Sequence, residues 1–155
     1  MELADLLDAS GLTGGGDQLR PEKMATSAFP SGHYLEFVAH EQVRPRFDRL
    51  LRRLNEATPQ LHPLLHAIAV YYETLLIHPL RDGNGRLARL LFQLSLRQTI
   101  GLKAPIFPLG PACAANRPAL IAAYLAWEFD RNAQPLVDFI LAAFSSLRRL
   151  YQRRP

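Results

Sequence analysis

Cysteine, lysine and long apolar runs are all scarce in this chain of 155 residues. The single cysteine, Cys113, excludes an internal disulfide framework and favours a reducing compartment. The apolar stretch between Leu64 and Leu80 contains histidine and glutamate, so it predicts a buried helix and not a membrane span. Since no basic segment followed by an apolar run opens the chain, we expect no Sec signal peptide. The protein should therefore be cytoplasmic, or be delivered to a host cell by a secretion system without such a peptide.

Positive charge is present, but almost all of it comes from arginine. The formal net charge is +4, and Lys23 and Lys103 are the only lysines. Arginine favours planar, bidentate contacts with anions, which makes phosphate ligands plausible, although an arginine bias in composition would explain the scattered ones equally well. The chain has no recognisable reading helix or aromatic platform, so we expect no nucleic-acid partner.

The N-terminal third predicts a flexible end followed by a hairpin. The three glycines at 14–16 favour flexibility over residues 1–19, and we assign residues 20–155 to one domain. Two segments rich in strand formers, 24–29 and 34–39, flank a Pro-Ser-Gly turn and predict a β-hairpin. Because no third strand is evident nearby, the hairpin should be a surface flap.

The remainder of the chain predicts helices. Apolar residues recur at helical spacing, Thr58-Pro59 and Asn116 resemble helix starts, and Gly101 with the prolines of 105–111 should form a connection. The predicted helices cover 43–54, 61–77, 86–98, 116–129 and 135–151. The sequence therefore predicts an all-α protein, a helical bundle with one β-hairpin flap.

The segment between the second and third predicted helices carries the residues of a candidate anion site. Gly83 and Gly85 bracket Asn84 immediately before a helix, and glycine permits positive φ and a close backbone approach. A run of free N–H groups at a helix N-terminus attracts anions. Arg86 and Arg89 are three residues apart, so they project from the same side and can contact the same anion.

An acidic and a basic side chain complete this candidate site. Asp82 would repel an anion unless a cation bridges them, which suggests Mg²⁺ held between the carboxylate and phosphates. His78, at the end of the buried helix, can act as a general base. A lone histidine or an isolated Asp-Gly-Asn-Gly run is usually structural, but the joint spacing indicates phosphoryl or nucleotidyl transfer to a nucleophile that His78 deprotonates.

The segment resembles the Fic motif, His-Pro-Phe-x-Asp/Glu-Gly-Asn-Gly-Arg-x-x-Arg. Every position matches except the phenylalanine, which is Leu80 in this chain. The family residue packs inward, and leucine is a tolerable smaller substitute. The resemblance covers about residues 20–150, and it implies a Fic-fold helical bundle whose flap is the hairpin.

The resemblance also implies roles for individual residues. His78 would deprotonate a Ser, Thr or Tyr hydroxyl of a target protein, and Asp82 would hold Mg²⁺. The phosphates of ATP would contact Gly83, Asn84, Gly85, Arg86 and Arg89. The flap would bind the target as an added strand, through Ser31, Gly32, His33 and Tyr34.

The resemblance favours AMP transfer from ATP, because the Doc-type kinases of the superfamily have lysine where Gly85 stands. Transfer of UMP, phosphocholine or phosphate by the same fold is the alternative, as is a catalytically silent Fic domain that acts as a binding module. The intact His78, Asp82 and Arg89 argue against the silent domain.

Many Fic proteins carry an inhibitory helix with the pattern Ser/Thr-x-x-x-Glu-Gly/Asn, whose glutamate pairs with the arginine equivalent to Arg89. No glutamate of this chain is followed by glycine or asparagine. We therefore expect that the chain does not inhibit itself. A separate, antitoxin-like protein, or a segment of a longer parent, would then supply the glutamate.

Overall fold

The computed structural model describes residues 19–27, 32, 34–55, 61–100 and 109–152. Within these residues the chain forms six α-helices, which confirms the all-α prediction. They are α1 (His40–Asn55), α2 (Pro63–Ile77), α3 (Asn84–Ile100), α4 (Leu109–Ala115), α5 (Arg117–Asp130) and α6 (Gln134–Gln152). The chain divides into two compact units, Met1–Gly101 and Leu102–Pro155. The predicted flexible segment falls almost wholly on residues 1–18, which lie outside the described residues.

The first unit is built around one amphipathic and one buried helix. In α1, apolar side chains at helical spacing, among them Phe47 and Leu50, are fully buried. They form a core with Val70 of α2 and with Leu87 and Leu91 of α3. Full burial of each such side chain contributes about 1.5–3 kcal/mol. The helix predicted over 43–54 is thus confirmed, and its apolar face is what anchors α1 to α2 and α3.

The central helix α2 is apolar nearly all round and is buried along most of its length, as predicted. It begins at Pro63, two residues after the predicted start, because His62 is its N-cap. His62 Nδ1 accepts a hydrogen bond of 3.2 Å from the N–H of Leu64, and proline fits the first turn. The cap expected at Thr58 lies outside the described residues. Because α2 is buried along most of its length, its C-terminal end is held in place. His78 follows directly after that end.

The predicted flap is present as a short antiparallel pairing. Ala25 and Glu36 form one isolated bridge, flanked by hydrogen bonds from Thr26 N–H to the Leu35 carbonyl (2.9 Å) and from Phe37 N–H to the Met24 carbonyl (3.1 Å). Within the described part of the chain these segments do not form longer strands, which leaves the flap held by few backbone bonds.

The second unit contains α4, α5 and α6, with α5 packed against α6. Its buried residues include Leu109, Tyr124 and Leu136. The expectation that the connection runs through residue 111 is wrong, because α4 already begins at Leu109, and proline is tolerated in a first helical turn. Asn116 precedes α5 as predicted, although its side chain makes no capping hydrogen bond. No helix in the described ranges has the length and apolar character that crossing a bilayer requires.

Candidate active site

His78 lies directly after the last residue of α2 in a left-handed backbone conformation, with φ 49° and ψ 58°. Its N–H donates to the Thr74 carbonyl over 3.0 Å, which closes the final turn of the helix. Residues other than glycine pay about 1–2 kcal/mol for this conformation, so neighbouring contacts must stabilise it. The conformation turns the chain sharply from α2 into the loop that leads to α3.

The imidazole of His78 is oriented from two sides. Its ring stacks on Phe37 of the flap with centroids 3.7 Å apart. Nδ1 lies 3.3 Å from the carbonyl oxygen of Leu75. Because a carbonyl can only accept a hydrogen bond, Nδ1 carries the proton and Nε2 keeps its lone pair. The ring is therefore prepared to accept a proton at Nε2.

Burial lowers the pKa of His78 below its ordinary value of 6.5, and the positive charge of Arg20 lowers this pKa further. The hydrogen bond to Leu75 opposes both effects by raising the pKa, but burial is the largest cause. The net downward shift keeps the imidazole neutral near pH 7. A neutral imidazole is the form that a general base requires.

The loop between His78 and α3 is closed by the side chain of Asn84. Asn84 Oδ1 accepts a hydrogen bond of 2.8 Å from the N–H of Leu80, and Nδ2 donates to the Leu80 carbonyl over 2.7 Å. Both residues are buried, and Leu80 joins the core, as expected for the position that is phenylalanine in the Fic motif. The amide side chain of Asn84 thus shapes the loop, and the group it can offer to an anion is its backbone N–H.

The N-terminus of α3 presents backbone donors. Gly83 has φ 84°, a conformation that favours glycine, and its carbonyl accepts from the N–H of Leu87 over 2.9 Å. Gly83 is therefore the residue that caps the helix, and the N–H groups of Asn84, Gly85 and Arg86 have no partner within it. Such a group of donors, together with the helix dipole, can attract an anion.

Two arginines project from the first turns of α3. Arg86 Nη2 lies 3.4 Å from Asp82 Oδ2, and both side chains are exposed. The Arg89 guanidinium approaches Gly85 so closely that a Cβ added there would lie 3.3 Å from its Nη1. Gly85 therefore leaves room for Arg89 at the mouth of the anion site. This spacing brings the predicted phosphate-binding residues together at one helix end.

Asp82 is the residue that could hold a metal ion here. Its side chain is 96% exposed, and the 3.4 Å contact with Arg86 involves Oδ2. The other carboxylate oxygen, Oδ1, does not take part in that contact. Mg²⁺ binds through one or two carboxylates plus substrate phosphates and waters. A single exposed carboxylate beside an anion site fits that donor set.

Two of the four predicted docking residues, Gly32 and Tyr34, are among the described residues. Ser31 and His33 lie outside the described residues. Gly32 has φ 80° and is exposed, and Tyr34 is 55% exposed. Both described residues are thus accessible to a partner.

The flap has one free edge that leads towards His78. Leu35 and Phe37 exchange hydrogen bonds with the opposite segment. Alternation along an antiparallel pair directs the N–H and C=O groups of Tyr34 and Glu36 to the other edge. That edge meets α2 at Val38, whose N–H donates over 3.3 Å to a carbonyl in the last turn of the helix. A strand added at this edge would run towards the end of α2.

Two residues of the site were not predicted from the sequence. Phe37 was assigned to the hairpin without a role, and Arg20 was one of many scattered arginines. Arg20 is only 2% exposed and donates hydrogen bonds to the carbonyls of Ile77 and His78. A single arginine among many gives no signal in a sequence, because its partners lie far along the chain.

Known proteins of one family are similar to this chain. The sequence profile of the Fic/DOC family matches residues 5–96. The chain is 33% identical to protein adenylyltransferase fic-1 of Caenorhabditis briggsae and 31% identical to that of Caenorhabditis elegans, in each case over 97 residues. These matches cover 62% of this chain and 19% of each relative, so the chain spans about a fifth of the curated relatives it matches.

Solved structures show the same fold. A Fic family protein from Desulfovibrio desulfuricans G20 superimposes with a TM-score of 0.71 at 26% identity, covering 97% of this chain and 47% of that protein. A fragment of Fic-1 from C. elegans superimposes with a TM-score of 0.68 at 24% identity, covering 96% and 42%. With the profile matching more than half of its residues, the chain belongs to the Fic/DOC family.

Proposed function

We propose that this chain is a protein adenylyltransferase that transfers AMP from ATP to a Ser, Thr or Tyr hydroxyl of a target protein. The observation that carries the proposal is the partly buried His78, whose Nδ1 proton contacts the Leu75 carbonyl and whose Nε2 lone pair is left available. It immediately precedes the loop that opens into the donor-rich start of α3. The relatives named protein adenylyltransferase support the same activity.

The residues present suggest the following reaction. Nε2 of His78 accepts the proton of the target hydroxyl, and the hydroxyl oxygen forms a bond to the α-phosphorus of ATP. The bond between that phosphorus and the oxygen leading to the β-phosphate breaks, so that pyrophosphate leaves with the electron pair. Arg86, Arg89 and the first N–H groups of α3 would offset the phosphate charge. Mg²⁺, held by Asp82 and the phosphates, would neutralise further charge when bound.

Gly85 supports AMP transfer over phosphate transfer. The resemblance to the Fic motif links lysine at this position with the Doc-type kinases, and glycine with transfer of the nucleotide. In this chain any side chain at 85 would press on Arg89, whose Nη1 would lie 3.3 Å from the new Cβ. Gly85 therefore lets Arg89 keep its position, which favours AMP transfer over phosphate transfer. UMP or phosphocholine could be transferred by the same residues.

The flap supports a protein acceptor. Its free edge carries the backbone groups of Tyr34 and Glu36, and the ring of Phe37 stacks on the imidazole of His78. An extended segment that adds to this edge would gain main-chain hydrogen bonds, which depend little on its sequence. Its hydroxyl residue would then be carried towards His78.

Labelled ATP tests the proposal directly. The protein is incubated with ATP labelled at the α- or at the γ-phosphate, with self-modification as the readout, and α-labelled UTP tests the alternative nucleotide. We expect label from α-ATP, and His78→Ala should lower its transfer about 10²–10⁴-fold while leaving ATP binding unchanged in calorimetry. Label only from γ-ATP would indicate a kinase, and no label from ATP or UTP would indicate phosphocholine transfer or a silent binding module.

Restraint by a second protein is a further part of the proposal. Within the described part of the chain no carboxylate forms an ion pair with Arg89, and the sequence contains no inhibitory pattern that would supply one. A separate antitoxin-like protein with a suitably placed glutamate could then occupy Arg89. Self-modification that rises strongly after removal of residues 1–19 would instead indicate an inhibitor within this chain.

A further inference from the structure

Arg20 is a buried cation at the end of the helix that carries the base. Its side chain is among the largest that are fully buried in the described residues. Nε donates to the His78 carbonyl over 2.7 Å, and Nη2 donates to the Ile77 carbonyl over 3.3 Å. The backbone N–H of Arg20 donates to the Pro79 carbonyl over 2.8 Å. One residue thus contacts three consecutive carbonyls where α2 ends.

These contacts satisfy carbonyl groups at the end of α2 that have no partner within the helix. The last carbonyls of a helix lack partners within it and carry partial negative charge, so a cation is favourable there. His78 also adopts a left-handed conformation that is unfavourable for its residue type. Arg20 satisfies the carbonyl of His78 in that conformation and so stabilises it.

The same guanidinium reaches the flap. Nη2 of Arg20 also donates to the Val38 carbonyl, and Nη1 donates to the Glu22 carbonyl over 2.5 Å. Val38 lies one residue after Phe37, whose ring stacks on His78. The Arg20 side chain therefore joins the flap to the end of α2, in addition to the Val38 N–H bond and the ring stacking. The planar fork of five N–H donors makes this possible, and the ammonium group of lysine cannot reproduce it.

We propose that Arg20 is a positioning residue that holds the flap and His78 in a fixed relative position, so that a hydroxyl presented along the flap meets Nε2 of His78. The inference rests on the proposed function of His78 as the base. It adds that the base is not positioned by the motif alone, but by a residue outside the motif that contacts both the flap and the helix end.

The kinetic test compares Arg20→Met and Arg20→Lys with the unmodified protein. We expect kcat for self-modification from α-labelled ATP to fall about 10- to 100-fold in both variants, as small misplacements of reacting groups do. The KM for ATP should not change, because the Arg20 side chain donates to carbonyls of the flap, of Glu22 and of the end of α2, and these are not the predicted phosphate-binding residues. Arg44→Met is the matched control, since Arg44 is exposed and forms an ion pair with Asp48 on its own helix.

A second measurement does not depend on activity. Nuclear magnetic resonance of the His78 ring protons reports its stacking on Phe37, which shifts them upfield. Both variants should lose part of that shift. Arg20→Met should also raise the pKa of His78, because a nearby positive charge is removed, whereas Arg20→Lys should leave the pKa close to the original. The other charged groups on the flanking elements are the same in all variants: Glu22, Lys23 and Glu36 on the flap side, and Arg81 and Asp82 in the loop.

The outcomes separate the two proposals. If the unmodified protein transfers no label, the proposed function fails, and the ring shift and pKa of His78 still decide the role of Arg20. If Arg20→Lys matches the unmodified protein in kcat and in the ring shift, the positioning role is overturned. If Arg20→Met does not fold, as judged by circular dichroism, Arg20→Lys alone decides. A loss of kcat in Arg44→Met equal to that in Arg20→Lys would also overturn it.

Discussion

The imidazole of His78 lies almost parallel to the ring of Phe37, with 16° between their planes and 3.7 Å between their centroids. Phe37 belongs to the flap, where its N–H donates to the Met24 carbonyl. Stacked aromatic rings contribute about 0.5–1.5 kcal/mol beyond the area they bury. The orientation of the proposed base is therefore linked to the conformation of the flap.

The first prediction follows from this contact. Phe37→Leu keeps an apolar side chain but removes the stacking, so self-modification from α-labelled ATP should slow about two- to tenfold. The ATP affinity measured by calorimetry should not change, because the ring contact of Phe37 is with the imidazole of His78 and not with a predicted phosphate-binding residue. Phe129→Leu is the matched control, since Phe129 is 60% exposed in α5. Equal rates for Phe37→Leu and the unmodified protein would contradict a role for the stacking.

The second prediction concerns pH. Burial and Arg20 lower the pKa of His78 below 6.5, so the imidazole is neutral above that pH and gains a proton as the pH falls through the lowered pKa. We expect kcat/KM to be constant above about pH 6.5 and to decline at more acidic pH. Phosphate monoesters titrate near pH 6, so a phosphate group of the nucleotide could produce a similar decline. The midpoint of the His78 ring resonance, assigned with His78→Ala, must therefore also lie below 6.5; a midpoint above it would be contrary evidence.

The third prediction uses two glycines that differ in backbone conformation. Gly85 lies within α3, so Gly85→Ala should leave the melting temperature unchanged or slightly higher. The new Cβ would press on Arg89 at 3.3 Å, and displacing the arginine should weaken ATP binding by about 1 kcal/mol, or about fivefold. Gly83→Ala should instead destabilise the protein by about 1–2 kcal/mol, because alanine is strained at φ 84°.

Thermal unfolding and calorimetry of the two glycine variants test these opposite expectations. A lower melting temperature for Gly85→Ala than for Gly83→Ala would mean that the constraint at 85 is structural. Unchanged ATP affinity in Gly85→Ala would mean that Arg89 does not contact the nucleotide.

The fourth prediction concerns the loop closure by Asn84. Asn84→Ala leaves the buried N–H and C=O groups of Leu80 without their partner, which should lower the free energy of unfolding by about 1–3 kcal/mol. Urea denaturation measures the change. Asn116→Ala is the control, because Asn116 is exposed and its side chain makes no capping bond, so its effect should stay within about 0.5 kcal/mol. Similar losses in both variants would argue against a structural role for the Asn84 amide.

The parts of the molecule that the sequence could predict are those that depend on local pattern. The apolar spacing of Val43 to Leu54 predicts α1, and the glycines around Asn84 predict the start of α3. Contacts between distant residues have no local pattern, which is why Arg20 and its bond to the His78 carbonyl, 58 positions away, were missed. The whole of α4 was missed for a different reason, since proline in a first turn looks the same in a sequence as proline in a loop.

The last prediction concerns the free edge of the flap. Glu36 is paired with Ala25 across the flap without exchanging backbone hydrogen bonds, since those bonds come from Thr26 and Phe37. Glu36→Pro should therefore keep the flap paired while removing one N–H from the free edge. Phe37→Pro removes the N–H that bonds to Met24 and should disrupt the flap itself.

If targets bind as an added strand, Glu36→Pro should reduce labelling of an added protein acceptor, such as casein, more than it reduces ATP affinity. Glu36→Ala is the matched control, because it removes the same ion pair with Lys23 but keeps the backbone donor. Acceptor labelling should thus fall in the order Glu36→Ala, Glu36→Pro, Phe37→Pro. Equal labelling by Glu36→Ala and Glu36→Pro would mean that the N–H of residue 36 is not used, and that the acceptor reaches His78 without pairing to this edge.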